Sequence, residues 1–99
     1  MTNIMLACSM GMSTNMMAES MNNAAAARGV EAHVWAVPES KTVENAAKAD
    51  VILLGPQLSF KLGDMQKQFA PTPVACIEMR TYGMMDGDGA LNQALALIS

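Results

Sequence analysis

The sequence predicts an α/β domain, a single (βα)4 open parallel sheet with strand order 2-1-3-4 and helices on both faces. Three observations predict it. Short apolar runs alternate four times with longer stretches of helical spacing, the pattern of parallel strands joined by helical crossovers. The runs Asn3 to Ala7 and Val51-Ile52-Leu53-Leu54 read as buried, central strands. The run Val30 to Val37 instead alternates, with Glu31, His33 and Trp35 on one face, which suits a sheet edge. Right-handed crossovers then leave the order 2-1-3-4.

In chain order, the first strand runs from Asn3 to Ala7. Ser13 or Thr14 is placed to cap the next helix, whose inner face carries Met17, Met21 and Ala24. Gly29 after Arg28 is a stop, because glycine accepts the left-handed conformation just past a helix end. Pro38 ends the second strand, Ser40 can cap a short helix, and Val43, Ala46 and Ala47 form its inner face. Gly55-Pro56 breaks the third strand, and Leu58, Leu62, Met65 and Phe69 follow at amphipathic spacing. Pro71 and Pro73 precede the strand Val74-Ala75-Cys76-Ile77. A polar loop is expected from Glu78 to Asp88, then a last helix through Leu91, Ala94, Leu95 and Ile98.

Composition removes several classes of function. Ninety-nine residues make one domain, and 52% hydrophobic against 15% charged residues excludes disorder. A net charge of -3 with no Lys/Arg cluster leaves no footprint for nucleic acid. No apolar run approaches the length of a membrane span, and the N-terminus lacks the pattern of a secretory signal. Cys8 and Cys76 do not make a disulfide framework. The expectation is a cytoplasmic domain that is not itself inserted in a membrane.

In a sheet of order 2-1-3-4 the switch point lies beside the first strand, and ligands bind beyond the strands' C-terminal ends. There stands Cys8-Ser9-Met10-Gly11-Met12-Ser13-Thr14. A glycine-containing loop entering a helix can turn backbone N–H groups toward an anion, and the helix start adds its positive dipole end. Such a setting favours an anionic sulfur at Cys8, a nucleophile for in-line attack on a phosphoryl group whose equatorial oxygens the loop neutralises. Low-molecular-weight tyrosine phosphatases hold the phosphate with an arginine where this chain has Thr14. The missing guanidinium, with no Asp-Pro general-acid loop, points to a phosphate carrier rather than a hydrolase. On spacing alone, ordinary helix capping beside a buried cysteine explains the same residues equally well.

Three motifs resemble a known family. Cys8-Ser9-Met10-Gly11-Met12-Ser13-Thr14, Leu53-Leu54-Gly55-Pro56-Gln57 and Tyr82-Gly83-Met84-Met85-Asp86-Gly87 are similar to segments of the IIB components of lactose/cellobiose-type sugar phosphotransferase systems. The resemblance spans residues 1–99 as one IIB domain and favours the cellobiose/diacetylchitobiose branch. It implies a flavodoxin-like sheet, no cofactor and a phosphocysteine at Cys8, cradled by Ser9, Met10, Gly11, Met12, Ser13, Thr14 and Asn15. Asn15 stands where the family pattern has serine. The phosphoryl group would arrive from a phosphohistidine on a IIA protein and leave for a sugar held by a membrane IIC protein. Gln57 and Tyr82, in loops at the Cys8 end of the sheet, are candidates to line the site, with loop packing as their other role.

Other residues carry plainer readings. Cys76 reads as a small buried hydrophobe, His33 as a solvated histidine and Trp35 as cover for the sheet edge. Glu78 and Arg80 read as solvated charges or part of a docking surface. Two rival functions use the same chain: Cu(I) binding through Cys8, Met10 and Met12, and a protein-interaction module indifferent to the Cys8 thiol.

Overall fold

The computed structural model describes residues 1–9 and 12–98, without the side chains of Met12 and Ser13. Four strands, β1 (Thr2–Cys8), β2 (Ala32–Pro38), β3 (Val51–Leu54) and β4 (Val74–Cys76), form one parallel sheet in the predicted order β2-β1-β3-β4. Around it lie α1 (Met12–Ala27), α2 (Thr42–Ala46), α3 (Leu62–Phe69), α4 (Met79–Gly83) and α5 (Gly87–Ile98). Turns of 3-10 helix at Glu39–Lys41 and Pro56–Lys61 lead into α2 and α3. No described helix is long and apolar enough to cross a membrane.

The pleat of the sheet sorts its side chains into two core layers. Ile4 and Leu6 of β1, Val34 of β2 and Val51 and Leu53 of β3 meet Met17, Met21 and Ala25 of α1 and Ala90, Leu91 and Ala94 of α5. On the other face Met5, Ala7, Val37, Ile52, Leu54 and Val74 meet Leu58 and Met65, with Leu62 and Phe69 packed against them. The central strands are apolar on both faces because both faces are covered: Ile4 to Ala7 and Val51 to Leu54 are wholly buried. Gly29 ends the α1 unit as predicted, at φ +68°, where any side chain would be strained.

β2 is the expected edge, and α1 covers part of it. The Asn22 side chain donates from Nδ2 to the Val34 carbonyl at 2.8 Å and accepts the Val34 N–H on Oδ1 at 2.9 Å. One amide thereby satisfies both outward backbone groups of Val34, at a place where a second chain would otherwise pair.

The structure corrects the prediction at three places. α1 begins at Met12, so Ser13 and Thr14 lie inside the helix rather than capping it. Residues 39–41 are spent in a tight 3-10 turn, which shifts the inner face of α2 by one position. Thr42 is therefore buried, its hydroxyl donating to the Glu39 carbonyl at 2.9 Å, while Val43 is exposed. Finally, the expected loop from Glu78 to Asp88 is largely helical. Tyr82 N–H closes a turn on the Glu78 carbonyl, and the Asp86 carboxylate accepts the Gly89 N–H at 3.0 Å, capping α5. Gly87 and Gly89 fall in the first turn of α5, which the Asp86 side chain caps, and Gly83 ends α4, which has no side-chain cap.

Candidate functional site

Every strand of a parallel sheet ends on the same side, and each following helix starts there. β1 ends at Cys8, β2 at Pro38, β3 at Leu54 and β4 at Cys76, with Cys8 opposite Pro38 in register. The partial positive charge of a helix N-terminus falls off within its first turn, so only a group close to the helix start feels it. Cys8 is such a group. It closes the central strand β1, and α1, with 16 residues, begins only four positions later at Met12.

The Cys8 side chain is buried, on the α1 side of the sheet. Its sulfur lies 3.0 Å from the hydroxyl oxygen of Thr14, which is also wholly buried in the first turn of α1. Either atom can donate in that bond; an anionic sulfur can only accept, and Thr14 then donates to it. Thr14 thus lies beside the Cys8 sulfur as a buried hydroxyl rather than as a helix cap. Ser9, next to Cys8, and Asn15 are exposed. Met10 and Gly11 lie outside the described residues, as do the side chains of Met12 and Ser13.

The third strand brings a second element to the same place. Gly55 N–H donates to the Ala7 carbonyl at 2.8 Å, extending the pairing of β1 with β3 to the residue before Cys8. Gly55 accepts the Leu58 N–H at 2.9 Å and starts the 3-10 turn that carries Gln57. A β-carbon on Gly55 would run into the Gln57 amide oxygen on one side and lie 3.3 Å from the Cys8 β-carbon on the other. Gln57 therefore folds back against Gly55, in space that a side chain at 55 would take. Gly-Pro-Gln in the sequence marked a strand end; that its glycine is a spacer between two candidate site residues was not legible.

Tyr82 lies in a helix rather than in the expected loop. It stands in α4, half-buried, packed against the core layer that contains Ile4, Leu6 and Met17. Glu78 precedes the same short helix and Arg80 lies within it, both exposed. Lys61 and Glu39 form an ion pair, with Lys61 Nζ donating to both carboxylate oxygens, and tie together the 3-10 turns that follow β3 and β2. The sequence separation of 22 residues hid that pair.

Cys76 is only partly buried, on the opposite face of the sheet from Cys8, and burial pushes its thiol up from the ordinary cysteine value. His33 is exposed and stacks on Trp35, ring centroids 5.5 Å apart. Among the described residues no group of three His, Cys, Asp or Glu side chains is arranged to hold a metal ion.

Comparison with known proteins gives a consistent outcome. The model of the family described as PTS system, lactose/cellobiose-specific IIB subunit matches residues 3–93. An oligo-beta-mannoside-specific EIIB component of Bacillus subtilis is 44% identical over 99% of this chain and 97% of its own length. A cellobiose-specific EIIB component of Lactococcus lactis is 38% identical over 97% of this chain and 95% of its own. Among solved structures, a cellobiose-specific IIB protein of Borrelia burgdorferi superposes with a TM-score of 0.80 at 30% identity, covering 98% of this chain and 91% of that one. A lactose-specific IIB domain of Streptococcus pneumoniae gives 0.86 at 14% identity, covering 99% and 98%, and bears on the fold.

Proposed function

This chain belongs to the lactose/cellobiose-specific IIB family of the sugar phosphotransferase system, and from that premise we propose that Cys8 is its phosphate-carrying residue. The observation that carries the reading is the sulfur at the end of a central strand, at the start of α1 and 3.0 Å from a buried threonine hydroxyl. In the first step the Cys8 sulfur attacks phosphorus, the P–N bond of a IIA phosphohistidine breaks and an S–P bond forms. The cysteine proton leaves and the released imidazole is free to take one up. In the second step a sugar hydroxyl held by the membrane IIC protein attacks phosphorus, the S–P bond breaks, and the leaving sulfur takes up the proton that the hydroxyl gives up.

The residues have distinct parts in this reading. The Thr14 hydroxyl holds the sulfur in place before transfer and turns to a phosphoryl oxygen after it. The N–H groups at the start of α1 receive the charge of the phosphoryl group, helped by Ser9 and the segment through Met10, Gly11, Met12, Ser13 and Asn15. Gln57, folded back over Gly55, supplies an amide at the rim. With Thr14 rather than an arginine on the phosphate, the phosphocysteine is held for transfer and not for hydrolysis. The carrier works in the cytoplasm and serves a β-linked saccharide, in keeping with the specificities of the two β-glycoside relatives. No observation favours the Cu(I) reading.

Incubation with phosphorylated IIA tests the proposal. One phosphoryl group per chain is expected, lost on alkylation of Cys8 and unaffected by a chelator. The isolated phosphoprotein is expected to return phosphate to IIA far faster than it releases free phosphate; rapid release would instead mark a phosphatase.

A further inference from the structure

A second concavity lies at the opposite end of β1. A groove of about 380 Å³ is lined by Asn3 of β1, His33 and Trp35 of β2, Asn45 of α2 and Lys48 just beyond it. Ligand pockets run from roughly 300 to 1,000 Å³, so the groove is sized for a small molecule. Asn3 precedes Cys8 by five residues, or about 16 Å along an extended strand. Its side chain is on the α2 side of the sheet, whereas Cys8 is on the α1 side. The groove is therefore no extension of the phosphate site.

We propose that this groove binds a phosphorylated saccharide. Its lining joins three chemistries. Trp35, stacked on the His33 ring at a tilt of 16°, offers aromatic surface to the C–H face of a pyranose. The amides of Asn3 and Asn45 each present donors and an acceptor, the match for neighbouring sugar hydroxyls. Asn45 is held at the rim by donating from Nδ2 to the Lys41 carbonyl, which leaves its amide oxygen turned to other partners. Lys48 supplies one ammonium group and takes part in none of the ion pairs that the described residues form. The nearby Asp50 carboxylate is engaged by the Asn3 backbone N–H at 2.7 Å. A single cation suits one phosphate monoester; a nucleoside di- or triphosphate would need more.

The choice of a phosphorylated sugar over a free one rests on Lys48, and its link to the proposed function is that such a compound is the product of the transfer. Trp35 is the chain's one tryptophan, so its fluorescence reports on this groove directly. Titration of the intact protein with glucose 6-phosphate is expected to give a saturable change, with glucose at least tenfold weaker and inorganic phosphate without effect at equal concentration. Lys48→Met, at an exposed position, is expected to reduce glucose 6-phosphate to the level of glucose. Absence of a saturable response, an equal response to inorganic phosphate, tighter binding of AMP, or an unchanged Lys48→Met titration would each overturn the proposal. Phosphate acceptance at Cys8, measured on the same samples, separates failure of this site from failure of the carrier reading.

Discussion

Cys8 and Cys76 each close a strand at the same end of the sheet, yet their surroundings differ in every respect that matters for reactivity. Cys8 ends the central strand β1, faces α1, is wholly buried and has a threonine hydroxyl 3.0 Å from its sulfur. Cys76 ends the outer strand β4, faces the α2–α3 layer and is half-exposed, with burial holding its thiol in the neutral form. After β1 comes a 16-residue helix; after β4 comes α4, with five residues. The difference teaches that a strand-end thiol becomes a candidate nucleophile through the start of the helix it faces and a hydroxyl on its sulfur. Exposure alone would have chosen Cys76.

Exchanging each cysteine breaks the comparison most sharply. Cys8→Ser is expected to abolish phosphate acceptance while leaving the circular-dichroism spectrum and melting temperature near those of the parent. Cys76→Ala is expected to accept phosphate at the parental rate. Equal loss in both variants would remove the distinction.

Thr14→Val is expected to have the next largest effect. It keeps the shape of the side chain and deletes the hydroxyl, so transfer is expected to fall roughly ten- to a hundredfold, in line with the net worth of one hydrogen bond to a charged group, about 1.5–3 kcal/mol. Thr14→Ser is expected to restore most of the rate, read by the time course of phosphate transfer from IIA.

A smaller change is expected at Gly55. In Gly55→Ala the new methyl group displaces the flexible end of Gln57 and crowds the Cys8 β-carbon. Transfer is expected to drop a few-fold, and Gln57→Ala in the same chain is expected to recover part of it by removing the collision. No recovery would show that Gly55 acts on Cys8 alone.

How much of this was legible in the sequence depends on the range of the interaction. The strand order followed from local patterns, because Val51 to Leu54 is apolar on both faces and the second strand is not. The place of Cys8 followed from that order. The Cys8–Thr14 bond did not, since a threonine near a helix start reads as a cap until the helix is seen to begin at Met12. Gly55 as a spacer and the Glu39–Lys61 pair depend on two loops meeting in space, which no spacing along the chain encodes. The early start of the last helix depends on the Asp86 carboxylate capping a first turn that holds Gly87 and Gly89, against their weak helix propensity.

Two further changes are expected to spare the site. Asn22→Ala leaves the outward N–H and carbonyl of Val34 without their amide partner, at a cost of about 1–3 kcal/mol for buried groups and less where water reaches them. A lower melting temperature with an unchanged transfer rate is expected, along with concentration-dependent self-association if the freed edge pairs between chains. The smallest effect concerns pH. Because folding raises the Cys76 thiol above its ordinary value, the stability tied to its neutral form is complete below the unfolded cysteine's pKa and is lost as pH rises through the folded one. Melting temperatures followed upward from pH 8 are expected to decline slightly less in Cys76→Ala than in the parent.

The central claim is that Cys8, and no other nucleophile in the chain, carries the phosphoryl group. Peptide mass spectrometry after incubation with phosphorylated IIA, under conditions that preserve a thiophosphate bond, addresses it directly. The account predicts a single phosphoryl group on the peptide that contains Cys8. Phosphate on His33 or on Cys76, with Cys8 unmodified, would contradict it.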